Sequence, residues 1–520
     1  MNKQRNRLLG LDKIFDLIEV PGSFLEAVKR HKLTTERHSQ QEIVDSYSRC
    51  ARFMDDLFIS PTAKWQNLFA HIVDLEPSIY HRDCLAIHEL FELKTYVYHY
   101  QLLRSHAIER GLNHYDLPDL SKLFELLDPE RGNIPSFRLS PLYSSILRDL
   151  DKERGALSQL LKHKRQEYLA LARRSLDLPN LKDEFILSRS QTDLISKIMD
   201  SGFFILSRES IANLIYVLAD NPETHAIKAD LAELKRKIET EENAVLYELS
   251  KKVQAFVADI SIAVKSVKEM GWDFSLAAFA RKYDCCIPLI ADEIELIQAR
   301  NLPLQLALEA SNRNYQKQNL TFSTRANLIT GPNMGGKTSI LKCLAQFSEL
   351  IKRAIPLPAE KVSMPLYDFV YYNHSDEGEN LSSFGSEVVA FCDALKHPGH
   401  GLFLLDEFGK GTNPREGEAL ATAVIRYLAN SIHTTVAATH FTAPAMLKEI
   451  CQFQIKGIQS ALDATTYEDI HQRLRYLANA MDYELISLNT QKTPPMDALK
   501  IAKILGLPQD ILTLINLEDE

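Results

Sequence analysis

The sequence predicts an α + α/β protein, in which a long helical region with a small inserted sheet precedes an α/β domain. Through most of residues 1–180, apolar residues recur at spacings of three and four, which is typical of helices. Three short runs rich in β-forming residues follow, and then another long helical pattern. From about Leu302 onward, apolar strands alternate with helices, as in layered α/β folds.

Composition sets the outer limits of this prediction. A chain of 520 residues is long enough for two or more domains. No apolar run approaches the roughly 18 residues of a membrane span, so we expect no membrane partner. The seven cysteines are odd in number and scattered, which favours a reducing, cytoplasmic location. The formal net charge of −9 does not by itself indicate a nucleic-acid partner, because such proteins are usually basic over their contact face.

The helical region is predicted from three stretches with helical periodicity. These are Arg7–Val20, Ile79–Glu109 and Pro141–Leu176. Phe24 lies in an early Phe-x-Glu sequence, but its helical surroundings favour a core position. His81, Cys84 and His88 have spacing that suits a metal site, yet no fourth ligand is evident and we do not predict a metal there.

The inserted sheet is predicted from runs at residues 184–187, 202–206 and 213–218. A helical pattern then extends from Glu223 to Met270, a length more typical of a lever or coiled-coil arm than of a core helix. Residues 182–220 hold four basic and six acidic side chains. Neutralising phosphates requires several Lys or Arg, so this charge favours a solvated surface over a DNA contact.

The residues between Gly331 and Thr338 form the pattern Gly-x-x-x-x-Gly-Lys-Thr, a phosphate-binding loop between a strand and a helix. Glycines allow backbone amides to approach phosphate oxygens, and the following helix presents its positive end. Lys337 is predicted to bind the β- and γ-phosphates, and the Thr338 hydroxyl to bind Mg²⁺. The predicted nucleotide-binding residues are Gly331, Pro332, Asn333, Met334, Gly335, Gly336, Lys337, Thr338 and Ser339.

Two further strands end in polar side chains that suit nucleotide hydrolysis. Asp406 and Glu407 follow four apolar residues, so Asp406 is predicted to hold Mg²⁺ and Glu407 to activate the attacking water. His440 ends the strand that begins at Thr434, and we predict that it senses the γ-phosphate or holds the water. The cofactors are therefore predicted to be ATP and Mg²⁺.

Together these motifs resemble the ATPase domain of the MutS family of DNA mismatch-repair proteins. The resemblance rests on Gly-Pro-Asn-Met-Gly-Gly-Lys-Thr at 331–338, Asp-Glu-Phe-Gly-Lys-Gly-Thr at 406–412 and Ala-Thr-His-Phe at 438–441. Ser382, Ser383, Phe384 and Glu387 resemble the family's signature loop. The resemblance implies that this loop reaches the γ-phosphate of a partner subunit, as in ABC-type P-loop ATPases. Lys410 stands where the family usually has Arg.

The resemblance also implies a domain organisation and a dimer. It predicts a helical lever and core region at 1–301, with 182–220 as a candidate clamp insert, and a MutS-type ATPase domain at 302–520. The amphipathic pattern at 498–508 resembles the helical segment that pairs such domains, which implies a homodimer or a MutS-like heterodimer. Too few residues precede the lever for the family's N-terminal mismatch-recognising domain, and no nuclease segment is expected after the ATPase.

Two functions from different classes remain open at this point. The first is a MutS-like DNA-binding ATPase that moves its clamp and lever on duplex or branched DNA without recognising mismatches directly. The second is an ATP-driven factor that remodels or reactivates a protein. Family resemblance favours the first, and the acidic candidate clamp favours the second. A small-molecule kinase is the least favoured, since no acceptor pocket is evident.

Overall fold

The computed structural model describes residues 3–37, 39–76, 82–323, 325–332, 335–373, 383–458, 480–488, 501, 507–508 and 511. Contacts divide the chain into two compact units. The first unit comprises residues 1–70 and 268–520, and the second comprises residues 71–267. The N-terminal helices therefore group with the C-terminal half. The domain boundary at 301/302 lies where the sequence pattern changes from helices to alternating strands and helices, and it stays a prediction.

Helices fill the first part of the described chain and strands are mixed with helices from Glu184 onward, which is compatible with the predicted α + α/β class. The helices are α1 (Lys3–Leu9), α2 (Leu11–Asp16), α3 (Glu26–Thr34), α4 (Gln40–Ile59), α5 (Thr62–Ala70), α6 (Ile87–Glu109), α7 (Ser121–Leu127), α8 (Ser145–Leu176), α9 (Thr192–Asp200), α10 (Pro222–Gln254), α11 (Val257–Lys282), α12 (Leu302–Ala310), α13 (Lys337–Ile351), α14 (Ser383–Leu395) and α15 (Pro414–Ala429). The strands are β1 (Glu184–Ser188), β2 (Phe204–Glu209), β3 (Asn213–Leu218), β4 (Leu289–Ile290), β5 (Ile294–Ala299), β6 (Gln318–Phe322), β7 (Ala326–Thr330), β8 (Lys361–Met364), β9 (Phe369–Tyr372), β10 (Gly401–Asp406), β11 (Thr434–Ala438), β12 (Cys451–Ile458) and β13 (Met481–Leu488).

A six-stranded sheet dominates the first unit, with strand order β13-β12-β7-β11-β10-β9. All neighbouring pairs are parallel except β12 and β13. Every residue of β7 and β11 is buried, as expected for strands that are covered on both faces. Helix α15 supplies Val424, Ile425 and Leu428 to the apolar core beside β7, β10 and β11. This core holds the carboxyl ends of the central strands at a common edge.

A smaller sheet and an aromatic cluster complete the first unit. The smaller sheet has the strand order β4-β8-β5-β6. Phe53 of α4 packs edge-on against Trp65 of α5, with ring centroids 5.2 Å apart. Phe274 of α11 packs against Phe69 at 5.3 Å. The prediction that Phe24 is a core residue is confirmed, since its side chain is only 1% exposed.

In the second unit, α8 and α10 pack along each other. Leu147 of α8 contacts Leu234 and Ile238 of α10. The three predicted strands of the insert form an antiparallel sheet in the order β1-β3-β2. Its inner face packs on the C-terminal end of α8. The small inserted sheet between long helices is therefore confirmed, although β2 begins two residues later than predicted and runs on to Glu209.

The prediction of one helix from Glu223 to Met270 is wrong, because two helices occupy this stretch. Helix α10 ends at Gln254 and α11 begins at Val257. At the break, the amides of Ala255 and Phe256 bond carbonyls three residues earlier instead of four. This tightening needs neither Gly nor Pro, so residue types gave no sign of it.

The other predicted helices also differ from the structure at their N-terminal ends. The helix predicted for Arg7–Val20 is divided at Gly10, which has a φ of 70° and separates α1 from α2. Glycine tolerates this left-handed conformation because it has no Cβ. The helix predicted from residue 79 begins instead at Ile87, and residues 77–81 lie outside the described part of the chain. Helix α8 begins at Ser145, where the Ser144 hydroxyl accepts a hydrogen bond from the amide of Leu147.

Candidate nucleotide site

The phosphate loop leaves the end of the central strand β7 and turns into helix α13. Gly331 has a φ of 146° and Gly336 a φ of 86°, both in the region that disfavours side chains. The Gly335 amide donates to the carbonyl of Pro332 at 3.0 Å, which closes the turn. Asn333 and Met334, which we predict to be part of the loop, lie outside the described residues.

The Lys337 ammonium is folded back onto the loop that precedes it. Its Nζ donates to the carbonyl of Gly331 at 2.8 Å and to that of Pro332 at 3.1 Å. Burial lowers the pKa of Lys337, and the charges of Glu407 and Asp406 partly oppose this effect. The ammonium is therefore buried with hydrogen-bonded partners, close enough to the acid pair to feel its charge.

Asp406 ends the buried strand β10, and Asn373 fixes its backbone. Asn373 accepts a hydrogen bond from the Asp406 amide and donates Nδ2 to the Asp406 carbonyl at 3.0 Å. The Tyr372 hydroxyl lies 3.4 Å from Asp406 Oδ2. The Asp406 backbone is thus fixed by Asn373, which follows β9, and its carboxylate contacts Tyr372, the last residue of β9.

Glu407 adopts a left-handed backbone conformation, with a φ of 52°. Non-glycine residues in this region are uncommon and cluster at functional sites. Its carboxylate is ion-paired with Lys410, and Oε1 lies 3.8 Å from Nδ1 of His440. Burial raises the pKa of Glu407, but the hydrogen bond and charge of Lys410 and the charges of His440 and Lys337 outweigh it, so the net pKa is lowered.

The described part of the predicted signature loop is tied into its own chain. Glu387 on α14 accepts from Asn373 Nδ2 at 2.5 Å and from the Gly409 amide at 3.2 Å. Burial raises the pKa of Glu387, while these two hydrogen bonds act in the opposite direction. Phe384 is half-buried, whereas Ser382 and the side chain of Ser383 lie outside what the structure describes. Contact of this loop with a partner subunit stays a prediction.

Most described residues of the predicted site line one cavity of about 580 Å³. From the prediction, the cavity lining includes Gly335, Gly336, Lys337, Thr338, Ser339, Asp406 and Glu407. Thr338 is exposed and Asp406 is half-buried, and both line this cavity. A hydroxyl and a carboxylate are the oxygen ligands that Mg²⁺ prefers beside phosphates, so these residues fit the predicted metal. Gly331, Pro332, His440 and Glu387 are not part of the lining.

A second cavity of about 290 Å³ begins on another side of Gly335 and Gly336. Tyr315 and Tyr483 contribute aromatic rings to it, among apolar residues of α12. A Cβ on Gly336 would lie 3.2 Å from the Tyr483 ring. Phe322, which like Tyr315 precedes the phosphate loop in the sequence, is instead buried edge-on against Phe453, with ring centroids 4.9 Å apart. This apolar cavity beside the phosphate loop suits a nucleotide base.

Sequence patterns missed several residues that shape the site. Arg7 and Lys13, from the N-terminal helices, line the larger cavity, as does Lys342 of α13. Asn373 bridges β10 and α14, and Tyr483 comes from the antiparallel edge strand. None of these residues belongs to a recognisable motif, so only packing reveals them.

The described residues lack the patterns of membrane-spanning helices and of metal-binding clusters. None of the helices they form is long and apolar enough to cross a membrane. They hold no group of three or more His, Cys, Asp and Glu side chains arranged for a metal ion. Cys84 of the His-x-x-Cys-x-x-x-His sequence is an exposed free thiol, and His81 falls outside the described ranges.

A phosphate loop follows the central strand β7 of a mainly parallel sheet, and it lines one cavity together with an acid pair at the end of β10, two strands away. This arrangement is typical of a P-loop nucleotide-binding domain. Residues 327–516 match the family MutS domain V. In this part the chain is therefore similar to proteins of the MutS family.

Its relatives match the chain over about half its length. The Endonuclease MutS2 of Halothermothrix orenii is 30% identical over 294 residues, which cover 54% of this chain and 34% of that protein. The Endonuclease MutS2 of Acetivibrio thermocellus is 31% identical over 245 residues, 44% of this chain and 30% of that protein. The DNA mismatch repair protein MutS of Staphylococcus saprophyticus is 25% identical over 285 residues, 53% of this chain and 30% of that protein. The chain thus spans about a third of the length of these curated relatives.

Proposed function

We propose that the chain binds ATP with Mg²⁺ in the 580 Å³ cavity and hydrolyses it. The observation that carries the proposal is the shared cavity of Lys337, Thr338, Asp406 and Glu407. These residues come from two separate motifs, and each supplies a group that phosphoryl transfer to water requires. A cavity of this size lies within the usual range for ligand pockets, about 300–1,000 Å³.

Each residue has a distinct part in the proposed reaction. When ATP enters, the Lys337 ammonium exchanges the carbonyls of Gly331 and Pro332 for the β- and γ-phosphate oxygens. Thr338 and Asp406 would hold Mg²⁺, which supplies positive charge against the phosphates. Glu407 orients the attacking water and accepts its proton, because the lowered pKa keeps its carboxylate ionised. His440 limits the positions open to Glu407 and the water.

We further propose that ATP turnover drives movement of the lever and clamp on duplex or branched DNA. The match to MutS domain V and the names of the relatives, which include a DNA mismatch repair protein, support an association with DNA. The long helices α8 and α10, which carry the small sheet, suit a lever with a clamp at its end. Dimerisation through the predicted segment at 498–508 belongs to the same proposal, and that segment lies almost entirely outside the described residues.

The surface of the small sheet favours the second candidate, action on a protein. Arg189, one of its four cations, is paired with Glu209 at 2.8 Å. Ile186 and Ile205 are more than half exposed, and Ile211 at the β2–β3 turn is 99% exposed. Exposed apolar side chains beside a cation that is already paired are more typical of protein contacts than of phosphate contacts.

A salt-titrated gel shift distinguishes the two candidates. We expect the chain with a non-hydrolysable ATP analogue to bind duplex and four-way junction DNA, with affinity falling between about 50 and 200 mM salt. If the clamp contacts phosphates, a Lys182→Ala/Arg208→Ala variant, which removes two exposed cations, lowers the salt slope by roughly 0.9 per lost contact. An Arg30→Ala variant, on α3 of the first unit, is the charge-matched control. If the chain binds nucleotide but binds neither DNA at the lowest salt, the DNA function is ruled out and the protein-remodelling function remains.

The ion pair between Lys410 and Glu407 predicts a pH effect on hydrolysis. Glu407 must be ionised to act as a base, and Lys410 helps to lower its pKa. Lys410→Met therefore raises that pKa and moves the acidic limb of the kcat–pH profile to higher pH. Lys410→Arg should keep the limb of the parent. Because Lys410 is 63% exposed, the shift should shrink at high salt. An unmoved limb in the Met variant would contradict Lys410 as the group that tunes the base.

A further inference from the structure

The N-terminal segment, defined here as residues 5–13, forms one wall of the cavity in which we place the phosphates. Arg7 and Lys13 both line this cavity, and both side chains are exposed. The same cavity is lined by Asp406 and Glu407, the groups that we assign to the reacting end of the nucleotide. Within the part of the chain that the structure describes, neither Arg7 nor Lys13 forms an ion pair with an acidic side chain. Both cations are therefore available to an anion in the cavity.

Specific contacts hold this segment against helix α13, the helix that follows the phosphate loop. Arg5 Nη2 bonds Glu349 Oε1 at 2.8 Å and the carbonyl of Val370 at 2.8 Å. The buried amide of Gln346 donates to the carbonyl of Leu9 at 2.6 Å. Gly10 turns the chain beside these contacts, and a Cβ there would lie 3.5 Å from Pro303. The segment is thus docked at both ends of α1, and Arg7 lies between its two anchors.

The charge of the cavity suits a polyanion that carries more than one phosphate. Four cations line it, namely Arg7, Lys13, Lys337 and Lys342, against the two carboxylates of Asp406 and Glu407. Lys337 alone is part of the phosphate-loop motif. Asp406 and Glu407 repel the terminal phosphate. ADP lacks this phosphate, so it accounts for the additional negative charge of ATP. A cation that reaches that position would stabilise ATP more than ADP, as an arginine finger supplied within the same chain does.

We propose that Arg7 and Lys13 contact the terminal phosphate from within the same chain, so that the N-terminal segment distinguishes ATP from ADP. This inference rests on the nucleotide site proposed above. The anchor through Arg5 reaches Glu349 on α13 and Val370 on β9, so tighter docking of the segment is transmitted to both elements. The segment would then respond to the nucleotide state without a partner subunit.

Binding of fluorescent ADP and of a fluorescent non-hydrolysable ATP analogue to the full chain with Mg²⁺ tests the proposal. We expect Arg7→Gln and Lys13→Gln each to weaken the ATP analogue about tenfold, the usual effect of one charge-assisted hydrogen bond. The affinity for ADP should stay within about twofold, because ADP lacks the phosphate that these cations contact. Arg7→Lys should restore part of the loss, and Arg30→Gln, which changes an exposed cation away from the cavity, should behave as the parent.

Hydrogen exchange supplies a second measurement that does not depend on the substituted side chains. In the parent, the amides of residues 8–16 should exchange more slowly with the ATP analogue than with ADP. Equal affinities of parent and variants for the ATP analogue would overturn the inference while leaving the nucleotide site intact. An equal loss of affinity for both nucleotides in the variants would also overturn it, since the segment would then contribute to binding without distinguishing ATP from ADP. A parent chain that binds neither nucleotide would remove the proposed site itself, and Lys337→Ala provides that comparison.

Discussion

Glu407→Gln should retain nucleotide binding and lose hydrolysis, with kcat reduced by roughly 100- to 10,000-fold. The amide keeps the size of the carboxylate and its place near His440, but it cannot accept a proton from water. Because Lys337, Thr338 and Asp406 are untouched, the affinity for Mg²⁺–ATP should stay within a few-fold of the parent. Phosphate release measures the rate, and a fluorescent ATP analogue measures the affinity.

Glu416→Gln is the matched control for this change, because Glu416 is an exposed acid on the first turn of α15 and does not line the cavity. It should hydrolyse ATP as the parent does. If Glu407→Gln turns over ATP at the parent rate, then the general base lies elsewhere. The strained backbone at Glu407, with its φ of 52°, would in that case need another explanation.

Lys337→Ala should abolish measurable nucleotide binding, with a loss of at least about 100-fold in affinity. The ammonium is expected to donate to two phosphates, and hydrogen bonds to charged groups contribute about 1.5–3 kcal/mol each. The free energy of unfolding should change little in the absence of nucleotide. Burial lowers the pKa of Lys337, which shows that the folded chain disfavours its charged form. Removal of the charge thus acts against the loss of its two hydrogen bonds to the loop.

Isothermal titration with ADP and ATP measures this effect, and thermal denaturation of the free chain measures stability. Lys396→Ala, which removes an exposed lysine paired only with Asp393 on the surface, is the control and should match the parent in both. Retained affinity in Lys337→Ala would contradict the proposed cradle. A large fall in thermal stability without nucleotide would show instead that Lys337 is a structural residue of the loop.

The parts of this fold that follow local patterns were predictable. Strand β7 spans Ala326–Thr330 as the apolar run before the glycines indicates, and the sheet of the insert forms where its β-rich runs lie. These patterns depend on the alternation of apolar residues and on turn residues, which act over a few positions. The break between α10 and α11 was not predictable, because it involves only a local shift in hydrogen bonding without a helix-breaking residue.

The candidate site shows the same division at the level of single residues. Lys337, Thr338, Asp406 and Glu407 were identified from motifs, and the structure brings all four to one cavity. Asn373 was not identified, although it holds both the backbone of Asp406 and the carboxylate of Glu387. An isolated asparagine after a strand carries no local pattern, and its importance arises only when β9, β10 and α14 are packed together.

By itself, the sequence determined the resemblance to the MutS family, the mixed α + α/β class and the chemical groups available to the proposed nucleotide. Each of these is encoded in the order of neighbouring residues, through backbone preference, burial pattern and side-chain type. Only the tertiary structure decided which remote segments enclose the cavity. Gln346 bonds the carbonyl of Leu9 across 337 positions of sequence, and that contact helps to place Arg7 beside the phosphate loop. Such contacts depend on the shapes of packed surfaces, which no local pattern specifies.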